Sequence, residues 1–206
     1  MGIINFQIAN EKQLQIYLSA YQATLSKADQ MILRLIQYLE LQCNVDMHKL
    51  RPFLFGPTAM SHYSEQEFTK IKNTVDDVTV LTQKLLNSFD KTTVENTVSN
   101  FPIWRKISEN EKMNGKVSKN IALIKFEKEF DSSKDEKLLA TIYDPAFFLP
   151  LFDMIFSTST WDFTSTAIKN NLLSLIWPAL SSVDQDMRLL AAHVLLKFRE
   201  SSENKR

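Results

Sequence analysis

The stretch ALSSVDQDMRLLAAHVLLKF, residues 179–198, decides the fold class. Its apolar residues recur at positions i, i+3, i+4, i+7, i+8 and i+11, which is the spacing of one helix face: Met187, Leu190, Ala191, Val194, Leu195 and Phe198. A polar turn precedes this stripe, and Ser182 with Gln185 three positions later predicts that Ser182 caps the helix.

The composition of the same helix is that of a helical repeat. Arg188 comes early, and the small residues Ala191 and Ala192 stand in the middle. Armadillo and HEAT repeats place an Arg and alanines in this way, because small side chains let neighbouring helices approach closely. We therefore predict an all-α fold in which antiparallel helix pairs stack as part of an armadillo- or HEAT-like α-solenoid, with a charged central loop.

Two further helices are predicted upstream of this stretch. Asp144 directly before Pro145 is typical of a capped helix start, and the apolar residues that follow cover most of the helix circumference. That pattern predicts burial on more than one side. The next helix is predicted over residues 166–177, where Pro178 stops it.

The N-terminal part predicts two amphipathic helices with a tight join. Asn10 with Gln13, and Ser26 with Asp29, have the spacing of helix starts. The second helix has an apolar stripe of five residues: Met31, Ile32, Leu35, Ile36 and Leu39. Residues 65–89 show a weaker helical periodicity.

Two segments interrupt the helical pattern. RPFLFGPTAMSHY, residues 51–63, holds two prolines and a glycine among large apolar residues, which predicts an irregular, buried segment. Residues 105–140 are dense in both charge signs and predict a linker or loop. Within it, IALIKFEKEF (121–130) fits a strand or a helix equally. We divide the chain into residues 1–104, 105–140 and 141–206.

Composition limits the function classes. Lys and Arg together number 24, as do Asp and Glu, so no net charge points to a strongly basic nucleic-acid binder. Three glycines in 206 residues disfavour phosphate-binding loops and hairpin-rich β structure. The single cysteine excludes an internal disulfide, no apolar run approaches ~20 residues, and no signal peptide is evident, so we expect a soluble intracellular protein without a membrane span.

No arrangement of residues predicts catalysis. His48, His62 and His193 are the only histidines, and none has an acid or nucleophile at a readable spacing. Cys43 and His48 would supply only two ligands, which is too few for a zinc site. The sequence therefore predicts no enzyme, no cofactor, no metal and no small-molecule substrate.

One short segment is a candidate for binding nucleic acid. Trp104, Arg105 and Lys106 place an aromatic ring beside two basic side chains, the combination that contacts a nucleic-acid backbone. Most phenylalanines instead stand at helical spacing without basic neighbours, which favours core packing.

Five segments, in this order, resemble the C-terminal region of the nucleolar pre-ribosomal-associated protein 1 family. They are YQATLSKADQMILRLIQYLE (21–40), LRPFLFGPTAMSHYS (50–64), FPIWR (101–105), YDPAFFLPLF (143–152) and ALSSVDQDMRLLAAHVLLKF (179–198). The resemblance implies a nucleolar scaffold of large-ribosomal-subunit assembly and rRNA processing, with pre-ribosomal assembly factors and pre-rRNA as partners. It carries over no catalytic residue, and members of the family are many times longer than this chain.

The resemblance gives residues 51–63 a second interpretation beside core packing. As a docking surface, this segment would offer Arg51, His62 and Tyr63 to a partner, in addition to Trp104, Arg105 and Lys106. An armadillo-like protein-interaction module unrelated to ribosomes is the alternative function, motivated by residues 179–195 alone.

Overall fold

The computed structural model describes residues 11–43, 75–107, 136–157 and 161–203. These ranges are mostly helical and contain no strand, only an isolated β-bridge between Thr24 and Tyr143, which confirms the all-α prediction for them. The α-helices are α1 (Glu11–Ala20), α2 (Lys27–Cys43), α3 (Val75–Asn87), α4 (Lys91–Ser99), α5 (Glu136–Leu139), α6 (Pro145–Ser157), α7 (Trp161–Lys169) and α8 (Gln185–Glu203). Two 3-10 helices, Leu172–Leu175 and Trp177–Ser181, lie between α7 and α8.

Helix α6 lies at the centre of the core, as its apolar circumference predicted. Phe148, Phe152 and Phe156, four residues apart, form a row of rings with centroids 5.7 and 6.0 Å apart. Phe89 packs against the middle ring, Phe152, with centroids 5.6 Å apart, and Phe198 of α8 meets Phe156 edge-on. Full burial of each large apolar side chain stabilises the fold by about 1.5–3 kcal/mol, so this helix is the main apolar anchor.

The stripe predicted for α8 is confirmed. Met187, Ala191 and Val194 are completely buried against the core, while Leu189 and Leu196 on another face are at least half exposed. The prediction that Ser182 caps α8 is wrong, because the helix begins three residues later, at Gln185. The Ser182 hydroxyl instead donates to the carbonyl of Ile103, a partner 79 residues away.

The helix predicted over residues 166–177 is also wrong. Helix α7 ends at Lys169, and Asn171 takes a left-handed conformation with φ 57°. That reversal breaks the α-helix, and the chain continues as two 3-10 helices, with Pro178 near the start of the second. Ile168, near the end of α7, is 51% exposed.

The two helices α1 and α2 are present, and the stripe predicted for α2 is confirmed in part, since Ile36 is buried and Ile32 packs against the core. The backbone N–H of Asp29 donates to the Ser26 hydroxyl, as the predicted start requires. Met31 is 58% exposed, however, while Leu33 is buried. The helix is rotated because Asp29 and Gln30 turn inward to polar partners in the core.

Residues on both sides of the predicted linker share one apolar cluster, in which Tyr21 and Leu85 belong with Phe148 and Met187. Helix α3 confirms a helical segment within residues 65–89. The segments 51–63 and 121–130 lie outside the described residues, as does Asn10. The division into three regions and the solenoid arrangement remain predictions.

Candidate interaction site

The segment 101–107, with the sequence FPIWRKI, forms hydrogen bonds at Ile103 and Ile107 with the residues just before α8. The carbonyl of Ile103 accepts hydrogen bonds from the Val183 N–H at 2.9 Å and from the Ser182 hydroxyl at 3.1 Å. The Ile107 N–H donates to the Asp184 carboxylate at 2.8 Å. The segment is therefore tied to the start of α8.

Arg105 is the internal anchor of this segment. Its Nε and one Nη atom each lie 3.0 Å from an oxygen of Asp144, whose side chain is fully buried. The same carboxylate accepts a hydrogen bond from the Gln30 amide at 2.7 Å and caps α6 through the Ala146 N–H at 2.9 Å. Three segments of the chain therefore meet at the Asp144 carboxylate: the one that holds Arg105, helix α2 and the start of α6.

A second buried carboxylate completes this polar junction. Asp29 accepts hydrogen bonds from the Gln22 and Thr24 N–H groups at 3.0 and 2.9 Å and from the Thr24 hydroxyl. These bonds hold the turn between α1 and α2, in which Ala23 has a positive φ of 60°. The turn then pairs with the start of α6, since the Asp144 N–H donates to the Ala23 carbonyl at 2.7 Å.

Two buried tyrosines border the junction. Burial raises the pKa of Tyr21 well above its usual value of 10, and the charges of Asp144 and Asp29 raise it further, against the opposing effect of Arg105. Burial raises the pKa of Tyr143 to about 12. The Tyr143 hydroxyl accepts a hydrogen bond from the Asp90 N–H at 2.9 Å, whereas the Tyr21 hydroxyl has no partner among the described residues.

Trp104 points to a different environment. Its ring packs against a small apolar cluster of Leu25, Leu139 and Ile142. This cluster forms one wall of a groove of about 340 Å³, which we call the Trp104 groove. The groove is lined by seven apolar residues and one polar residue, Asn100: Leu25, Asn100, Phe101, Pro102, Trp104, Leu138, Leu139 and Ile142.

The predicted binding residues thus fall into three groups. Arg105 is bound to Asp144, so its guanidinium serves the interior of the fold. Trp104 lines the groove, and Lys106 is exposed to solvent. Arg51, His62 and Tyr63 lie outside the described residues. The sequence did not predict that Leu25 and Ile142 line the groove with Trp104, because they are far from Trp104 along the chain and no sequence pattern pairs them with it.

His193 belongs to a separate surface cluster. Its Nδ1 lies 3.1 Å from a carboxylate oxygen of Asp153, and the Lys197 ammonium lies 2.8 Å from the same oxygen. Lys197 also contacts the Ser157 hydroxyl. These contacts join α8 to α6 near the protein surface. Within the described ranges, no three His, Cys, Asp or Glu side chains are placed to hold a metal ion, and no helix is long and apolar enough to cross a membrane.

The chain is similar to two curated proteins over nearly its whole length. It shares 28% identity over 203 residues with human nucleolar pre-ribosomal-associated protein 1, and 27% with the mouse protein of the same name. Each alignment covers 97% of this chain and 8% of the relative, so the chain spans about a twelfth of their length. No protein-family model and no solved structure matches. The two alignments indicate a distant relationship to these nucleolar pre-ribosomal proteins.

Proposed function

We propose that this chain is a non-catalytic scaffold domain of ribosome biogenesis, which acts in large-subunit pre-ribosome assembly and rRNA processing in the nucleolus. The observation that carries the proposal is the similarity to nucleolar pre-ribosomal-associated protein 1 across 97% of the chain. Its partners would be pre-ribosomal assembly factors and pre-rRNA.

The geometry favours contact with a protein over chemistry. Its most connected polar groups, Asp144 and Arg105, satisfy each other in the interior, where they organise backbone segments. Exposed apolar features of the described residues include the Trp104 groove and the outer side chains of α8, Leu189 and Leu196. Contiguous apolar patches on a protein surface mark sites that bind other macromolecules.

The proposal is tested by sedimentation of the tagged chain from cells through a sucrose gradient, with and without RNase. We expect co-migration with large-subunit precursors that RNase abolishes, and nucleolar signal in imaging. The Leu190→Asp variant, which brings a charge to the core side of α8, should lose co-migration, whereas the surface variant Arg199→Ala should retain it. Migration as a free small protein in every condition would refute the assembly role.

The second candidate is an armadillo-like protein-interaction module unrelated to ribosomes, which the apolar Trp104 groove favours. It predicts protein partners whose binding is unaffected by RNase, and no nucleolar enrichment.

A further inference from the structure

We propose that the turn 21–25, between α1 and α2, is a strained latch, and that α1 and α2 separate from the C-terminal helices as one unit when it opens. The inference concerns a motion built into the fold and does not depend on the proposed function.

The strain lies at Ala23. This residue is buried and has a φ of 60°, in the left-handed region. Steric repulsion of the Cβ atom disfavours that conformation by roughly 5- to 30-fold, and glycine is the residue that avoids the cost. An alanine keeps it only where the surrounding contacts enforce it, and residues held in this way are common in segments that switch between two states.

The first restraint on Ala23 comes from within the turn. Asp29 accepts hydrogen bonds from the N–H groups of Gln22 and Thr24, the residues on either side of Ala23, at 3.0 and 2.9 Å. The buried carboxylate therefore fixes the backbone before and after the strained residue.

The second restraint also attaches the turn to the start of α6. The Asp144 N–H donates to the Ala23 carbonyl at 2.7 Å, and the Leu25 N–H donates to the Ile142 carbonyl at 2.9 Å. The Gln30 amide adds a bond to the Asp144 carboxylate at 2.7 Å. Because this pairing helps to hold Ala23 in its left-handed conformation, loss of the pairing also releases strain. The released strain lowers the cost of opening, so attachment and turn conformation are coupled.

The helices on the other side of the latch have contacts of their own. Phe156 of α6 meets Phe198 of α8 edge-on, and the Lys197 ammonium of α8 lies 2.8 Å from the Asp153 carboxylate of α6. These contacts involve no residue of α1 or α2. They therefore persist when the latch opens.

Opening uncovers an apolar surface between the two units. The Tyr21 ring is completely buried and meets Phe147 of α6 edge-on, with centroids 5.0 Å apart. Both rings become accessible when α1 and α2 move away. Segments that open locally, before the rest of a protein unfolds, are those from which movable binding surfaces are drawn.

The test is hydrogen exchange of the whole chain, followed residue by residue by NMR at low urea concentrations and corrected for intrinsic rates. We expect the amides of Thr24, Leu25 and Asp144 to exchange through one shared opening. The amides of Ala191 and Val194 in α8 should exchange at least about tenfold more slowly, since they open only with the whole core.

Two glycine substitutions separate strain from ordinary flexibility. Ala23→Gly relieves the left-handed conformation and should make the latch open about threefold less often, since the steric gain exceeds the extra freedom of glycine in the open state. The matched control, Ala20→Gly, replaces an exposed helical alanine at the end of α1 and should make the latch open about threefold more often. Exchange of the α8 amides should be the same in both variants.

Faster opening in Ala23→Gly, or exchange of the turn and α8 amides through one common opening, would overturn the proposal. Both measurements are made on the purified chain. A failure to associate with ribosome precursors therefore leaves them unaffected, and the two proposals fail separately.

Discussion

Arg105 and Asp144, 39 positions apart, form a bidentate ion pair with both N–O distances at 3.0 Å. The carboxylate is completely buried and the arginine side chain is 18% exposed. Because Asp144 also caps α6 and binds Gln30, its charge is compensated from three directions. The pair fixes the position of the 101–107 segment, and with it the Trp104 groove.

The first prediction concerns this pair. Asp144→Ala should lower the free energy of unfolding by about 3–5 kcal/mol, because it removes the carboxylate that binds the largely buried guanidinium of Arg105 at two nitrogens. For a chain of this size that loss corresponds to a fall in Tm of roughly 6–20 °C. Thermal and urea denaturation measure it. The control is Glu203→Ala, which breaks the exposed Arg199–Glu203 pair and should leave Tm almost unchanged. Equal shifts in the two variants would contradict the internal role of Asp144.

The two buried tyrosines should respond in opposite ways to the loss of their hydroxyl groups at neutral pH. Tyr143→Phe removes the acceptor for the Asp90 N–H and should cost about 1 kcal/mol. Tyr21→Phe removes a buried hydroxyl that has no partner in the described part of the chain, so stability should stay equal or rise. Urea denaturation compares the two variants, and a larger loss for Tyr21→Phe would show that its hydroxyl has a stabilising contact.

The same tyrosines predict a loss of stability in alkali. Below pH 10 tyrosine is protonated in both the folded and the unfolded chain. As pH rises from 10 toward 12, the unfolded chain releases the Tyr143 proton before the folded chain does, because burial holds the folded pKa at about 12. Stability therefore falls across this window, and Tyr21 acts in the same direction. The Tyr21→Phe/Tyr143→Phe variant should show a flatter alkaline limb in Tm against pH. Tyr17→Phe, at a half-buried site, serves as the control.

Ala191 and Ala192 are adjacent alanines with different surroundings. Ala191 is fully buried between α8 and the core, whereas Ala192 is exposed. Ala191→Leu should lower the free energy of unfolding by about 1–3 kcal/mol through overpacking. Ala192→Leu should leave it unchanged, and chemical denaturation separates them. Similar values would mean that α8 does not approach its neighbours as closely as the structure indicates.

Asn171 holds the left-handed turn that ends α7. Asn171→Gly should keep the stability, because glycine adopts a positive φ without steric cost. Asn171→Val should lower the free energy of unfolding by about 1–3 kcal/mol, since a β-branched residue is strained in this conformation. Circular dichroism melts distinguish the two variants, and equal melting temperatures would show that the turn relaxes.

Sequence patterns predicted those features that depend on neighbours along the chain. The stripe of α8 was readable because one helix face recurs every three to four residues, and Ser26 was readable as a cap because its partner is Asp29. The break at Asn171 was missed, since the apolar spacing runs through it and only the backbone conformation reveals the turn.

The candidate site was less readable for a related reason. Arg105 stands between Trp104 and Lys106, so the sequence suggested contact with nucleic acid. Its partner in the structure is Asp144, which no sequence pattern pairs with it. Ser182 resembles a helix cap and serves Ile103 instead. Met31 was assigned to the core because it fits the apolar period, whereas the polar anchors Asp29 and Gln30 set the rotation of α2. Local patterns contain no information about such distant pairs.

The junction at Asp144 also has a consequence for biosynthesis. Gln30 and Asp144 are separated by 114 positions, and the Lys27 N–H and Glu136 by 109. At a translation rate of about 5–20 residues per second, Gln30 waits roughly 6–23 s for its partner to be synthesised. During that time α1 and α2 lack the hydrogen bond from the Gln30 amide to the Asp144 carboxylate. A nascent chain arrested before residue 144 should be more sensitive to protease in this region than one released in full.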